Sequence, residues 1–121
     1  MLNEFEKKIR INELINLRKE LMQQGNVVEE VKVLKELAEL TEDVFGEESD
    51  ENIKILNEVG GTLKYVGEFD TAKDALLKAQ GFIEKKYGKD SIPYATCSLN
   101  LAEVYRFMKS MMKLKIFTLI Q

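Results

Sequence analysis

Residues 56–79 read LNEVGGTLKYVGEFDTAKDALLKA, and this stretch decides the fold. Its apolar residues recur at steps of three and four, the period of one buried stripe on an α-helix and not of a β-strand. Gly67 interrupts the stripe, and glycine after an apolar-periodic run is the typical left-handed end of a helix. The stretch therefore predicts two consecutive helices that meet at Gly67.

The same pattern continues in both directions along the chain. Further breaks in the apolar period coincide with three glycines: Gly25, Gly46 and Gly88. Residues that can start the following helix stand after two of these breaks: Ser49, Asp50, Asp90, Ser91 and Pro93. The pattern predicts helices over about 3–23, 27–45, 51–66, 69–87 and 93–108, with a weaker sixth helix from 111.

Composition bounds the fold and excludes several kinds of active site. The chain has 121 residues, 45% of them hydrophobic, with one Pro, which indicates a single all-α domain over 1–121. It has no His, so a Ser-His-Asp triad, a Cys-His dyad and imidazole zinc sites are excluded. Cys97 has no imidazole to activate it, and its helical position predicts core packing. We expect no catalytic residue, no metal site and no cofactor.

Charge and cysteine content set expectations for partners and location. The net charge is −3, from 18 basic and 21 acidic residues that are intermixed, so we expect no nucleic-acid partner. Uncharged stretches are too short to span a membrane, and we expect no membrane partner. A single thiol and the acidic start MLNEFEKK predict a cytoplasmic protein.

The helix breaks recur at an interval of 42 residues. The interval separates Gly25 from Gly67 and Gly46 from Gly88, and it superposes apolar residues as well: Ile11 on Ile53, Leu14 on Leu56, Leu21 on Leu63, Leu34 on Leu76. A fixed helix-turn-helix period is the signature of an α-solenoid, in which each helix pair buries its apolar face mainly against its neighbours.

The order of residue sizes narrows the type of repeat. Large, small and aromatic residues alternate along 56–79 in an order that resembles the tetratricopeptide repeat. Residues 94–106, YATCSLNLAEVYR, look like the first helix of a kinesin-light-chain-type repeat, and a 42-residue period is typical of that subfamily. The resemblance covers about residues 11–108. It implies an α-solenoid of about two and a half repeats, at about 9–50, 51–92 and, in part, 93–121.

Some positions depart from this pattern. Arg18 and Glu30 stand where small residues are expected in the first repeat, which is degenerate or less tightly packed. Lys109 and Met111 replace the turn glycine and the aromatic residue that follows it in the third. The tail 111–121 is then a short capping helix or a truncated second helix. Its apolar end suggests self-association, so that the chain forms a homo-oligomer through this segment.

The resemblance also implies a binding surface. In tetratricopeptide arrays the first helix of each pair lines a concave groove, and the matching positions here are Asn12, Lys19, Lys54, Asn57, Gly61, Lys64, Glu103 and Arg106, with Asn100 at an asparagine common in light-chain repeats. Lys19, Lys64 and Arg106 would bring three cations to one wall, suited to a peptide with acidic residues or a terminal carboxylate. The alternative is a solvated helix face whose cations pair with neighbouring glutamates.

These observations predict a non-catalytic protein–protein interaction module that binds a peptide or protein segment in the groove. The alternative is a structural or oligomerisation fragment that stacks through its exposed C-terminal end.

Overall fold

The computed structural model describes residues 1–120, and over that range the chain is all-α, without strands. Its five α-helices are α1 (Glu4–Gln24), α2 (Val27–Phe45), α3 (Asp50–Leu63), α4 (Phe69–Tyr87) and α5 (Ile92–Ile120), with a short 3-10 turn at Lys64–Val66. The last residue of the predicted partial repeat, Gln121, lies outside the described residues. The first five predicted helices are confirmed within three residues at every end but the last.

Helix starts are fixed by short polar side chains. Asn3 Oδ1 accepts the Glu6 N–H at 2.8 Å while Glu6 Oε1 accepts the Asn3 N–H, a reciprocal cap for α1. Ser49 Oγ accepts the Asn52 N–H at 3.1 Å, and Ser91 Oγ accepts the Tyr94 N–H at 3.3 Å. Of the four predicted capping candidates, the two serines are therefore the ones that cap.

Helix ends lie at the predicted glycines. Gly25 and Gly67 have φ values of 70° and 77°, and Gly46 and Gly88 have φ values of 94° and 82°. Residues that carry a Cβ atom are strained at these positive φ values, so a glycine ends each helix at a defined residue.

The predicted separate helix from residue 111 is wrong. α5 continues through this point as one helix of 29 residues. No Gly or Pro occurs between Met108 and Met111, and Lys, Ser and Met all tolerate a helix interior. With no residue to stop it, the helix extends past the body of the domain.

Consecutive helices pack antiparallel. Arg10 contacts Glu36 and Arg18 contacts Glu30, so positions late in α1 meet positions early in α2. Lys86 likewise reaches Asp50 across the α3 and α4 pair. α3 packs on α5 in addition to its two sequence neighbours. Hence α1, α3 and α5 run in one direction, and α2 and α4 run in the other.

The core follows the predicted apolar stripes. Its largest completely buried side chains come from all five helices: Leu14, Leu34, Leu37, Leu63, Leu76, Ile83, Cys97 and Val104. Within residues 1–120, no helix is long and apolar enough to cross a membrane.

α3 and α4 pack closely at Gly60. A Cβ atom on Gly60 would lie 2.6 Å from both Cδ atoms of Leu76 in α4, whereas a Cβ on Gly61 would have no atom within 4 Å. The absence of a side chain at Gly60 therefore lets α3 and α4 pack at this distance.

The two adjacent glycines should respond in opposite ways to alanine. Gly60→Ala forces α3 and α4 apart and should destabilise the protein by about 2 kcal/mol. The cost of overpacking the core is larger than the gain from the higher helix propensity of alanine. Gly61→Ala adds a methyl group in open space and should stabilise it by up to about 1 kcal/mol. Urea unfolding followed by circular dichroism measures both. Equal effects at the two positions would contradict the proposed close packing.

Candidate functional site

Three shallow cavities lie side by side on the surface formed by α1, α3 and α5. Their volumes are about 320, 600 and 460 Å³. Arg18, Lys54 and Glu58 line both the first and the second cavity, and Asn100 lines both the second and the third. The three cavities thus form one continuous surface, which we call the groove.

All nine residues predicted from the resemblance line the groove. Asn12, Lys19 and Lys54 line the first cavity; Lys54, Asn57, Gly61 and Asn100 line the second; Lys64, Asn100, Glu103 and Arg106 line the third. The structure therefore brings side chains from three helices to a common surface.

The first cavity combines an apolar floor with two cations. Its floor includes buried Ile11, Leu37 and Ile55, three residues from three different helices. Lys19 and Lys54 are exposed beside this floor, and over residues 1–120 neither ammonium group has a carboxylate within 4.0 Å. Such a cavity suits an apolar side chain that is flanked by acidic ones.

Arg18 links the three helices around this cavity. Its Nε donates to Glu30 Oε2 of α2 at 3.1 Å, and its Nη1 lies 2.8 Å from Glu58 Oε2 of α3. Only 16% of the Arg18 side chain and 10% of the Glu30 side chain are exposed. The two residues that depart from the small-residue pattern are thus paired with each other.

The second cavity is lined by a glycine and by a hydrogen-bond acceptor that has no donor among the described residues. Gly61 offers no side chain there, and Asn57 Oδ1 is buried without a hydrogen-bond partner among the described residues. Asn100 lies across the cavity on α5. Two carboxamides on facing helices can bond to the main chain of an extended ligand.

The third cavity has two cations around one carboxylate. Lys64 is 7% exposed, its Nζ lies 3.5 Å from Glu103 Oε2, and it lies 5.1 Å and 5.3 Å from the ring centroids of Tyr65 and Phe107. Arg106 Nη2 donates to the same Glu103 oxygen at 2.8 Å. The hydrogen bond from Arg106, with help from Lys64, lowers the pKa of Glu103.

The expected wall of three cations is therefore partly neutralised, by the one carboxylate of Glu103. Lys64 and Arg106 pair with Glu103, as the alternative reading of a solvated face anticipated, and Lys19 keeps no acidic partner within the part of the chain described. Sequence reasoning missed the roles of Arg18, Phe45 and Glu58 in the groove. The opposite charges of Arg18 and Glu30, at two positions that both depart from the pattern, were a signal for their pairing.

Cys97 is a packing residue, as predicted. It is completely buried, its Sγ–H donates to the Leu76 carbonyl at 3.2 Å, and burial raises its pKa to about 11. Among residues 1–120, no three Cys, Asp or Glu side chains come together in a way that could hold a metal ion.

The sequence matches no protein-family model and no curated protein.

Asp50 closes one end of the second cavity. Lys86 Nζ lies 2.8 Å from Asp50 Oδ1, and Tyr87 Oη donates to the same oxygen at 2.6 Å. These two hydrogen bonds, that of Lys86 first, lower the pKa of Asp50. Asp50 is the first residue of α3, so its carboxylate joins α3 to the end of α4.

Removing one partner of the Arg18–Glu30 ion pair should destabilise the protein more than replacing both partners. Arg18→Met leaves two partly buried carboxylates without a cation and should destabilise the protein by about 3 kcal/mol. Replacing both partners, as Arg18→Met with Glu30→Met, should recover most of that loss because an apolar pair also fills the space. Arg10→Met, at an exposed ion pair, should cost less than about 1 kcal/mol. A double variant as unstable as Arg18→Met would contradict this account.

Asp50 should contribute to stability only above acidic pH. Because its folded pKa is lowered, the contribution is complete above its unfolded pKa of about 4 and is lost as the pH falls through the folded value. In urea unfolding, Asp50→Asn should therefore be less stable than the wild type at neutral pH, and the difference should shrink in strong acid. Asp74→Asn, at an exposed residue, is the matched control. A difference that does not depend on pH would contradict the role of this carboxylate.

Proposed function

We propose that this protein is a non-catalytic binding module of the tetratricopeptide type. In this proposal its groove holds a segment of another protein that combines apolar and acidic residues. The observation that carries the proposal is a continuous groove across α1, α3 and α5, with an apolar floor beside Lys19 and Lys54, two lysines that have no acidic partner among residues 1–120. A cytoplasmic location remains the expectation from the single buried thiol.

The regular interval in the backbone supports a repeat architecture. α2 and α4 have 19 residues each and begin 42 residues apart, at Val27 and Phe69. The glycines that end the helices have similar φ angles at the same interval. We interpret these features as repeats over about 9–50 and 51–92 and a partial repeat from 93, stacked as a short solenoid.

The packing of the helices supports an open arrangement. Each helix packs on the next one in sequence, α3 reaches α5, and Arg18 joins α1 to α3. The first helices of the pairs therefore lie side by side, an order that creates a groove.

The groove is also suited to rigid recognition. Its polar side chains project from helices, and Arg18, Lys64 and Asp50 are held by ion pairs. A receptor that is ordered before binding loses little conformational entropy when the ligand arrives. Lys19 and Lys54 can then form charge-assisted hydrogen bonds with a ligand's carboxylates.

The test is selection of ligands from a displayed library of random peptides, followed by fluorescence anisotropy on the enriched sequences. We expect enriched peptides with apolar and acidic residues, and we expect Lys19→Glu with Lys54→Glu to weaken their binding by more than about tenfold. The control is Lys32→Glu with Lys78→Glu, which makes the same charge change outside the groove and should leave binding nearly unchanged.

A second variant tests the location of the ligand without a change of charge. Gly61→Trp places an indole in the second cavity, where a Cβ meets no atom within 4 Å, and should block binding while the protein stays folded. Peptides that bind the two groove variants as tightly as the wild type would overturn the proposal, and so would a library from which nothing is enriched.

A further inference from the structure

The last part of α5 stands free of the domain body. Residues 109–120 are all exposed, and at about 1.5 Å per residue they extend roughly 18 Å beyond the packed part of the helix. Seven of these twelve residues are large and apolar: Met111, Met112, Leu114, Ile116, Phe117, Leu119 and Ile120. We call residues 109–120 the tail. An exposed helix of this composition marks an interaction surface.

One face of α5 continues from the body into the tail. At about 100° per residue, seven residues of α5 lie within an arc of about 100° whose centre is turned roughly 130° from buried Val104. We call this the end face, and its members are Ala95, Ser98, Ala102, Tyr105, Lys109, Met112 and Ile116. Ser98 is half-buried and the other six are exposed. Apart from Tyr105, the end face therefore has small residues on the body and larger ones on the tail.

The sign of the net charge also differs between the chain before Val104 and the chain from Val104 onward. All 21 acidic residues and 14 of the 18 basic residues precede Val104, so this part has a net charge of −7 and the remaining 18 residues have +4. Two antiparallel copies of α5 place the basic tail of each on the acidic body of the other. Two parallel copies would instead place like-charged tails side by side, which is unfavourable.

The sizes of the side chains fit the same antiparallel register. When the pair is centred between Tyr105 and Arg106, Ala95 of one copy faces Ile116 of the other, and Ala102 faces Lys109. Each large tail residue thus meets a small body residue, and the two-fold symmetry makes every such contact twice.

We propose that α5 is a homodimerisation helix whose end face pairs with the end face of a second copy in an antiparallel, two-fold arrangement. The end face is turned away from the groove residues Thr96 and Glu103, and of its members only Ala102 also lines a cavity of the groove, the third one, so dimerisation leaves the first and second cavities open. This proposal is independent of the proposed peptide binding.

Disulfide crosslinking of the full chain tests the register. Ala102→Cys mixed with Lys109→Cys should give a covalent heterodimer under mild oxidation, while each variant alone should form no disulfide-linked dimer because like positions lie about 10 Å apart along the helix. Cys97 is buried and does not compete. Leu114→Cys, on another side of the tail, replaces Lys109→Cys as the control and should not crosslink.

Analytical ultracentrifugation tests the surface itself. Ala95→Arg with Ala102→Arg should raise the dimer dissociation constant by more than about tenfold, because large charged side chains replace the small contacts. Both alanines are exposed, so the helical circular dichroism signal should not change, and Thr71→Arg in α4 is the control.

Three results would overturn the proposal. The first is a wild-type protein that stays monomeric at about 200 µM, which would leave no dimer at accessible concentration. The second is crosslinking of Ala102→Cys with itself, which would indicate parallel helices. The third is a monomer that sediments with phosphatidylserine vesicles, which would assign the tail to a lipid surface.

Discussion

The arrangement of the helices depends on how closely α3 and α4 approach each other at Gly60. With no Cβ at this position, Leu76 occupies the space against the α3 backbone and is completely buried there. The position 42 residues earlier is Arg18, whose side chain could not fit such a contact. Its partner position in α2 is Glu30, which corresponds to Ala72 in α4. α3 and α4 therefore pack closely because Gly60 has no side chain, whereas α1 and α2 are joined at the equivalent positions by an ion pair.

The ion pair gives the first helix pair a link that small residues cannot provide. Arg18 also reaches Glu58 on α3 at 2.8 Å, so one guanidinium contacts three helices. A buried ion pair adds little net stability compared with an apolar pair, but it favours the one arrangement in which every charge has a partner. In this chain that arrangement holds α1 beside α3 and thereby shapes the first cavity of the groove.

The sequence allowed much of the fold to be predicted because its signals are local. Gly25 and Gly67 end helices through their own backbone, and Ser49 caps α3 through a neighbouring N–H, so none of these features depends on distant residues. The nine candidate residues share a surface because the helical period places them there. The continuation of α5 was missed because a resemblance suggested a stop where no local residue provides one. The pairing of Lys64 with Glu103 joins residues on two helices, and this tertiary distance was not available from the period alone.

The two sides of α5 relate the proposed functions to each other. Thr96 and Glu103 line the groove, and Ala95 lies outside it, whereas Ala102 is at the border and also lines the third cavity, so a dimer through the end face would leave the first and second cavities open. A two-fold dimer would carry two grooves that run in opposite directions. When a partner carries two suitable segments, binding of the first raises the effective concentration of the second, so avidity can far exceed the affinity of one groove. A short groove that offers Lys19 and Lys54 to a ligand's carboxylates can in this way support firm binding without a longer repeat array.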